Sequence, residues 1–80
     1  MILLDTRGLD HPIPLETAFQ AFTKLHGSEV LHMIHNREPL PLFDIIANNG
    51  GRHYAYVDDD GAWHILITRD GDVDLESHRV

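Results

Sequence analysis

The sequence predicts an α+β fold: a two-layer α/β sandwich with the order β-α-β-α-β-β, in which a mixed four-stranded sheet carries two helices on one face. Three observations predict it. Two segments that begin with Pro-x-Pro carry apolar residues at helical spacing. Four short apolar runs are typical of strands. The last two runs are joined by a turn sequence that favours a hairpin, and a strand–helix–strand unit forms a right-handed parallel crossover.

The first strand and helix occupy the first third of the chain. Residues 1–5 are an apolar run that ends in a turn composition at residues 5–8, which indicates a strand. Pro14 suits the first turn of a helix, where a missing N–H costs nothing. The apolar stripe that follows has spacings of three and four, and Gly27 favours the helix stop. The members of the stripe are Leu15, Ala18, Phe19, Phe22 and Leu25.

The second half contains one helix and three strands. Residues 29–35 are rich in apolar residues (Val30, Leu31, Met33 and Ile34), as in a strand with neighbours on both sides. Pro39 and Pro41 open a helix that stops at residues 48–51, and its stripe consists of Leu42, Ile45 and Ile46. Residues 53–58 and 62–68 are predicted strands around the turn at residues 59–61. We therefore expect one domain over residues 1–69 and an acidic, flexible tail over residues 70–80.

Composition restricts the functional class. The chain has 80 residues, room for one small domain, and its 13 acidic against 6 basic residues give a net charge of −7 with histidine neutral. This sign opposes binding to nucleic-acid phosphates. The absence of cysteine excludes disulfides, thiolate metal ligands and thiol catalysis. No apolar run reaches the length of a membrane span, and no basic leader is visible, so we expect a cytoplasmic protein without a membrane segment or a cofactor.

Residues 5–15 resemble the TusA/SirA-like sulfur-carrier family. That family has an Asp-x-x-Gly-Leu-x-Cys-Pro-x-Pro signature, and here Asp5, Gly8, Leu9, Pro12 and Pro14 are in register with it. The resemblance extends over about 68 residues and implies the same two-layer fold. Residues 37–42 are more similar to an uncharacterised cysteine-less branch of the superfamily.

One departure from the signature decides what the resemblance implies. His11 occupies the position of the sulfur-carrying cysteine. Imidazole cannot carry a sulfane sulfur as a thiolate does, so the carrier activity does not transfer to this chain. The resemblance implies only the fold and the location of a site.

The predicted topology places a candidate site at one edge of the sheet. The connections over residues 6–12 and 35–38 leave from the carboxyl ends of parallel strands and lead to helix N-termini, which favour anions. We therefore predict a non-enzymatic binding module that recognises a small anion or a partner protein. The candidate binding residues are Arg7, His11, His35, Asn36 and Arg37.

A purely structural role for the same side chains is the first alternative. Arg7 would then pair with Asp5 or Asp10, Arg37 would pair with Glu38, and His11 would cap its helix.

Two functional alternatives also remain open. The first is a histidine metal site in metal or redox handling, made from His11 with His35, or from His53 with His64 across the hairpin; His32 and His35 would lie on opposite faces of a strand. The second is a covalent carrier that uses His11.

The uncovered sheet face and the oligomeric state are left open by the sequence. We expect the candidates for the outer face, Tyr54, Tyr56 and Trp63, to lie there as cross-strand aromatic pairs or against a partner.

Overall fold

The protein is described by a computed structural model that covers residues 1–79. Its strands and helices follow one another in the predicted order, which confirms the fold class. They are β1 (Ile2–Asp5), α1 (Ile13–Thr23), β2 (Val30–His35), α2 (Leu40–Asn48), β3 (Arg52–Val57), β4 (Trp63–Thr68) and a 3₁₀ helix (Leu75–His78).

The four strands form a mixed sheet in the order β1-β2-β4-β3. β1 is parallel to β2, with Leu4 opposite Met33, whereas β4 is antiparallel to both of its neighbours. α1 therefore connects two adjacent parallel strands. α2 connects β2 to β3, and β4 lies between these two strands in the sheet. Because β1 and β2 run in the same direction, the loops that follow them emerge at the same edge of the sheet.

The main core lies between the two helices and one face of the sheet. Alternate residues of β2 and β4 point to this face, as the pleat requires. The side chains they meet from the helices are Ala18, Phe22, Leu42 and Ile46, all at most 1% exposed. Because strand and helix periodicities both follow from local geometry, this packing agrees with the apolar stripes of the sequence.

The opposite face of the sheet is partly covered by the C-terminal segment. Leu75, in the 3₁₀ helix, is only 3% exposed and packs with Val30, Tyr56 and Leu66. The sequence predicts an acidic, flexible tail over residues 70–80, and the burial of Leu75 was not part of that prediction. A single leucine among acidic residues forms no periodic pattern. Its burial depends on the C-terminal segment folding back onto the sheet, which the local sequence does not indicate.

The register of the hairpin corrects two further predictions. His64 lies opposite Tyr56, and His53 lies opposite Ile67, so the two histidines project from opposite faces instead of facing each other. Trp63 packs against the helix-covered core and not on the outer face. The turn determines this, because the amide of Asp58 bonds to the carbonyl of Ala62 and thereby sets which residues pair.

None of the helices in residues 1–79 has the length and apolarity needed to cross a membrane.

Candidate functional site

The loops that follow β1 and β2 are joined by hydrogen bonds. The amide of Thr6 donates to the carbonyl of Ile34 at 2.8 Å and extends the parallel ladder by one step. The amide of Gly8, which has a positive φ of 86°, donates to Oδ1 of Asn36 at 2.9 Å. Asn36 is one of the predicted binding residues, and its amide oxygen holds the first loop against the second.

A pocket of about 420 Å³ lies between these two loops and the beginnings of the two helices. It brings together four of the five predicted site residues, namely His11, His35, Asn36 and Arg37. The rest of the lining consists of Gly8, Leu9, Asp10, Pro14, Leu15, Glu38, Pro39 and Pro41.

His35 is the most buried polar side chain of the pocket, at 8% exposure. Its Nδ1 lies 3.0 Å from Oγ1 of Thr6 and 3.3 Å from the Thr6 carbonyl oxygen. Thr6 is fully buried, and its hydroxyl donates to the carbonyl of Ile34 at 2.9 Å. Thr6 therefore holds the orientation of the His35 ring. Thr6 was not among the predicted site residues, because a threonine beside a turn is common and its partner lies 29 residues away.

Arg37 supplies the only arginine of the pocket, and its guanidinium forms no ion pair with any of residues 1–79. The predicted pairing of Arg37 with Glu38 is therefore absent from the described part of the chain. His11 is exposed at the pocket wall, and the peptide bond that follows it is cis. Asp10 and Glu38 contribute two carboxylates. With histidine neutral, the charged groups of the pocket are thus one cation and two anions.

Arg7 does not line the pocket. Its guanidinium instead bonds to Asp5 in a two-pronged contact, with Nε 3.0 Å from Oδ1 and Nη2 2.7 Å from Oδ2. These hydrogen bonds lower the pKa of Asp5 to about 2 and raise the pKa of Arg7. Both side chains are about half exposed, so the pair adds little stability, but it leaves Arg7 already engaged. This matches the alternative in which Arg7 has a structural partner.

The helix N-termini offer few free donors to a ligand. Of the six residues in the first turns of α1 and α2, Pro14 and Pro41 have no N–H, and three others donate to backbone carbonyls at 3.0 Å. Neither helix has a side-chain N-cap, so the predicted capping role of His11 is wrong. Any recognition at this edge therefore depends mainly on side chains.

The histidines proposed as metal ligands are not gathered into a metal site. No group of three His, Cys, Asp or Glu side chains within residues 1–79 is arranged to hold a metal ion. His53 is stacked on Phe43, with ring centroids 3.9 Å apart and planes at 8°, and burial lowers its pKa. His11 and His35 both border the pocket, and each histidine can supply one ligand nitrogen to a metal ion.

A chain of three titratable side chains lies on the other face of the sheet and was not predicted. His32 Nε2 is 2.8 Å from His64 Nδ1, and His64 Nε2 is 2.8 Å from Asp58 Oδ2. Burial, and secondarily the neighbouring His64, lowers the pKa of His32. The hydrogen bond from His64, with backbone amides of the turn, lowers the pKa of Asp58. The alternation of β2 placed His32 on this face, but only the strand order brings His64 beside it.

Comparison with known proteins adds a family and a structural relative. Residues 3–69 match the family described as uncharacterized conserved protein DUF2249. The crystal structure of a SirA-like protein from Desulfitobacterium hafniense superposes with a TM-score of 0.75 at 23% identity, covering 84% of this chain and 95% of that one. At this identity the similarity shows the fold alone. No curated protein matches significantly.

The matched segment spans both pocket loops, both helices and all four strands except Ile2, and it includes the altered signature in which His11 replaces cysteine. The chain therefore belongs to the uncharacterized conserved protein family DUF2249, with a SirA-like fold.

Proposed function

We propose that the protein is a non-enzymatic binding module that recognises a small anion in the pocket between the loops after β1 and β2. The observation that carries the proposal is Arg37, a guanidinium at the pocket wall without an ion pair in residues 1–79. Of the protein's six Lys and Arg residues, it is the only one that lines the pocket. A guanidinium presents a planar fork that matches a carboxylate, phosphate or sulfur oxyanion.

Two further features support an anion at this position. His11 borders the pocket, and an imidazole N–H can donate a hydrogen bond to an anion. The pocket is also preorganised, because Thr6 and Asn36 hold its two loops together through backbone and side-chain hydrogen bonds. Little entropy then has to be lost when a ligand binds.

The exposed apolar residues around the pocket favour a second candidate, a partner protein. Leu9, Ile13 and Leu40 are 43%, 50% and 59% exposed, and all three belong to the pocket loops or the first residues of the two helices. A partner could place an acidic group on Arg37 and cover these side chains. An acidic peptide that binds more tightly than free anions would favour this candidate.

The proposal is tested by following backbone amide signals during titration with phosphate, sulfite and an acidic peptide. We expect the signals of residues 8–14 and 35–41 to shift. Arg37→Gln should weaken binding roughly ten- to hundredfold, as expected for the loss of hydrogen bonds to a charged group. Lys24→Gln, which removes the same charge from an exposed residue at the end of α1, is the matched control and should bind like the wild type.

Three results would contradict the proposal. Signals of residues 8–14 and 35–41 that do not move with any of the probes would exclude anion binding here. Stoichiometric metal in protein purified without an affinity tag would favour the histidine metal-site alternative. A covalent adduct in the intact mass after incubation with cell extract and phosphodonors, lost in His11→Ala, would favour the carrier alternative.

A further inference from the structure

The proton position on His35 follows from its hydrogen bonds. Nδ1 faces two oxygen atoms of Thr6, the hydroxyl at 3.0 Å and the carbonyl at 3.3 Å. A carbonyl oxygen can only accept, and the single hydroxyl proton is already donated to the carbonyl of Ile34. Both contacts therefore require a proton on Nδ1. In the neutral ring, Nε2 then carries a lone pair and no proton.

The second ring nitrogen of His35, Nε2, is not used within the described chain. Nε2 has no hydrogen-bond partner among residues 1–79. Every fully buried side-chain nitrogen or oxygen in this part of the chain does have a partner, so Nε2 is not fully buried. Nε2 must consequently be accessible to solvent, although the residue as a whole is only 8% exposed. His35 borders the pocket, so the pocket offers a route by which a ligand can reach Nε2.

The pocket therefore combines one strong donor with several acceptors. Arg37 donates, while Nε2 of His35 and the carboxylates of Asp10 and Glu38 accept. A fully deprotonated anion such as sulfate accepts hydrogen bonds from the guanidinium. It has no O–H to donate to the acceptor groups of the pocket. An oxyanion that retains an O–H satisfies both kinds of group with the same molecule.

We infer that the pocket selects a protonated oxyanion, with hydrogen phosphate as its simplest form, over a fully deprotonated one of similar size. This inference rests on the proposed function and deepens it. Arg37 binds the charged oxygens, and the O–H donates to Nε2 of His35. A site built to receive a hydrogen bond rejects an analogue that lacks the donor, because its polar groups are then left unpaired.

The test compares phosphate with sulfate at matched ionic strength and pH about 8, where an ordinary imidazole is neutral. We expect phosphate to bind the wild type at least about tenfold more tightly than sulfate, measured by amide shifts of the pocket residues. Thr6→Val removes the hydroxyl that restrains Nδ1 and should reduce this ratio. Thr6→Ser keeps the hydroxyl and should preserve it. Arg37→Gln should weaken both anions.

A direct measurement of the His35 tautomer makes the test independent of the variants. Long-range ¹H–¹⁵N correlation in the wild type should show the proton on Nδ1, and this result stands even if Thr6→Val does not fold. Equal affinity for the two anions, or a proton on Nε2, would overturn the selectivity and leave the proposed function in place. Failure of both anions, sulfite and the acidic peptide to shift the pocket residues would overturn both proposals.

Discussion

Gly51→Ala adds only one methyl group, but the structure predicts that it lowers the stability of the fold. A Cβ atom there would lie 2.5 and 2.6 Å from Cε1 and Cζ of Phe22 and 2.7 Å from Cγ2 of Ile46. Carbon atoms in contact are normally about 3.5–4.0 Å apart. Gly51→Ala thus creates overlaps of about 1 Å with two side chains that are at most 1% exposed.

The expected cost follows from the packing of these side chains. Overfilling a packed core typically costs about 1–3 kcal/mol, and we expect the upper end because Phe22 and Ile46 are both displaced. A domain of this size has a free energy of unfolding of roughly 4–12 kcal/mol. A loss of about 3 kcal/mol would lower Tm by roughly 12–24 °C.

Urea and thermal unfolding monitored by circular dichroism measure the effect. Gly71→Ala is the matched control, because nothing lies within 4 Å of its Cβ, and its stability should stay within about 0.5 kcal/mol of the wild type. Phe22→Leu removes Cε1 and Cζ, so combining it with Gly51→Ala should show a favourable coupling of about 1–2 kcal/mol. A Gly51→Ala protein as stable as the wild type, or a coupling near zero, would refute the reasoning.

Three further predictions concern the titration of the fold, the C-terminal segment and the loops. Because burial lowers the pKa of His32 and His53, the unfolded chain binds more protons below about pH 6.5, so stability should be complete above that pH and fall as the pH decreases through it. Urea unfolding at about pH 7.5 and 5.5 checks this, and equal stability at both would contradict it. Leu75→Ala should cost about 2 kcal/mol or more in the same assay, since it empties a buried position; no loss would mean that the C-terminal segment adds nothing to the core. Asn36→Ala should cost about 1 kcal/mol and speed exchange of the Gly8 amide, whereas Asn36→Asp keeps the acceptor; equal exchange in both variants would contradict the role of this bond.

The helices and strands could be predicted from the sequence because their signals are local. The stripe of α1, the prolines near both helix starts and the turn at residues 59–61 act over a few residues, and the observed boundaries agree with the predicted ones to within about two residues. The parallel crossover then placed both pocket loops at one edge, and four of the five candidate residues border the pocket.

Most partners of the site residues could not be predicted, because they lie far along the chain. The pairing of Arg7 with Asp5, two residues away, was one of the predicted alternatives, and the loop conformation selects it. Asn36 and His35 find their partners 28 and 29 residues away, on the first loop and on Thr6. His53 lies opposite Ile67, three residues from His64, and this odd offset places the two histidines on opposite faces, since side chains alternate along a strand.

The sequence by itself determined the order of the elements, the face that each helix buries and the loss of the thiol at His11, because periodicity, turn chemistry and residue identity are properties of short segments. Only the tertiary structure decided that Leu75 returns to the open face, that Gly51 has no room for a methyl group and that Thr6 orients His35. These outcomes depend on distances between segments that are brought together by the strand order β1-β2-β4-β3, and no local pattern encodes such distances.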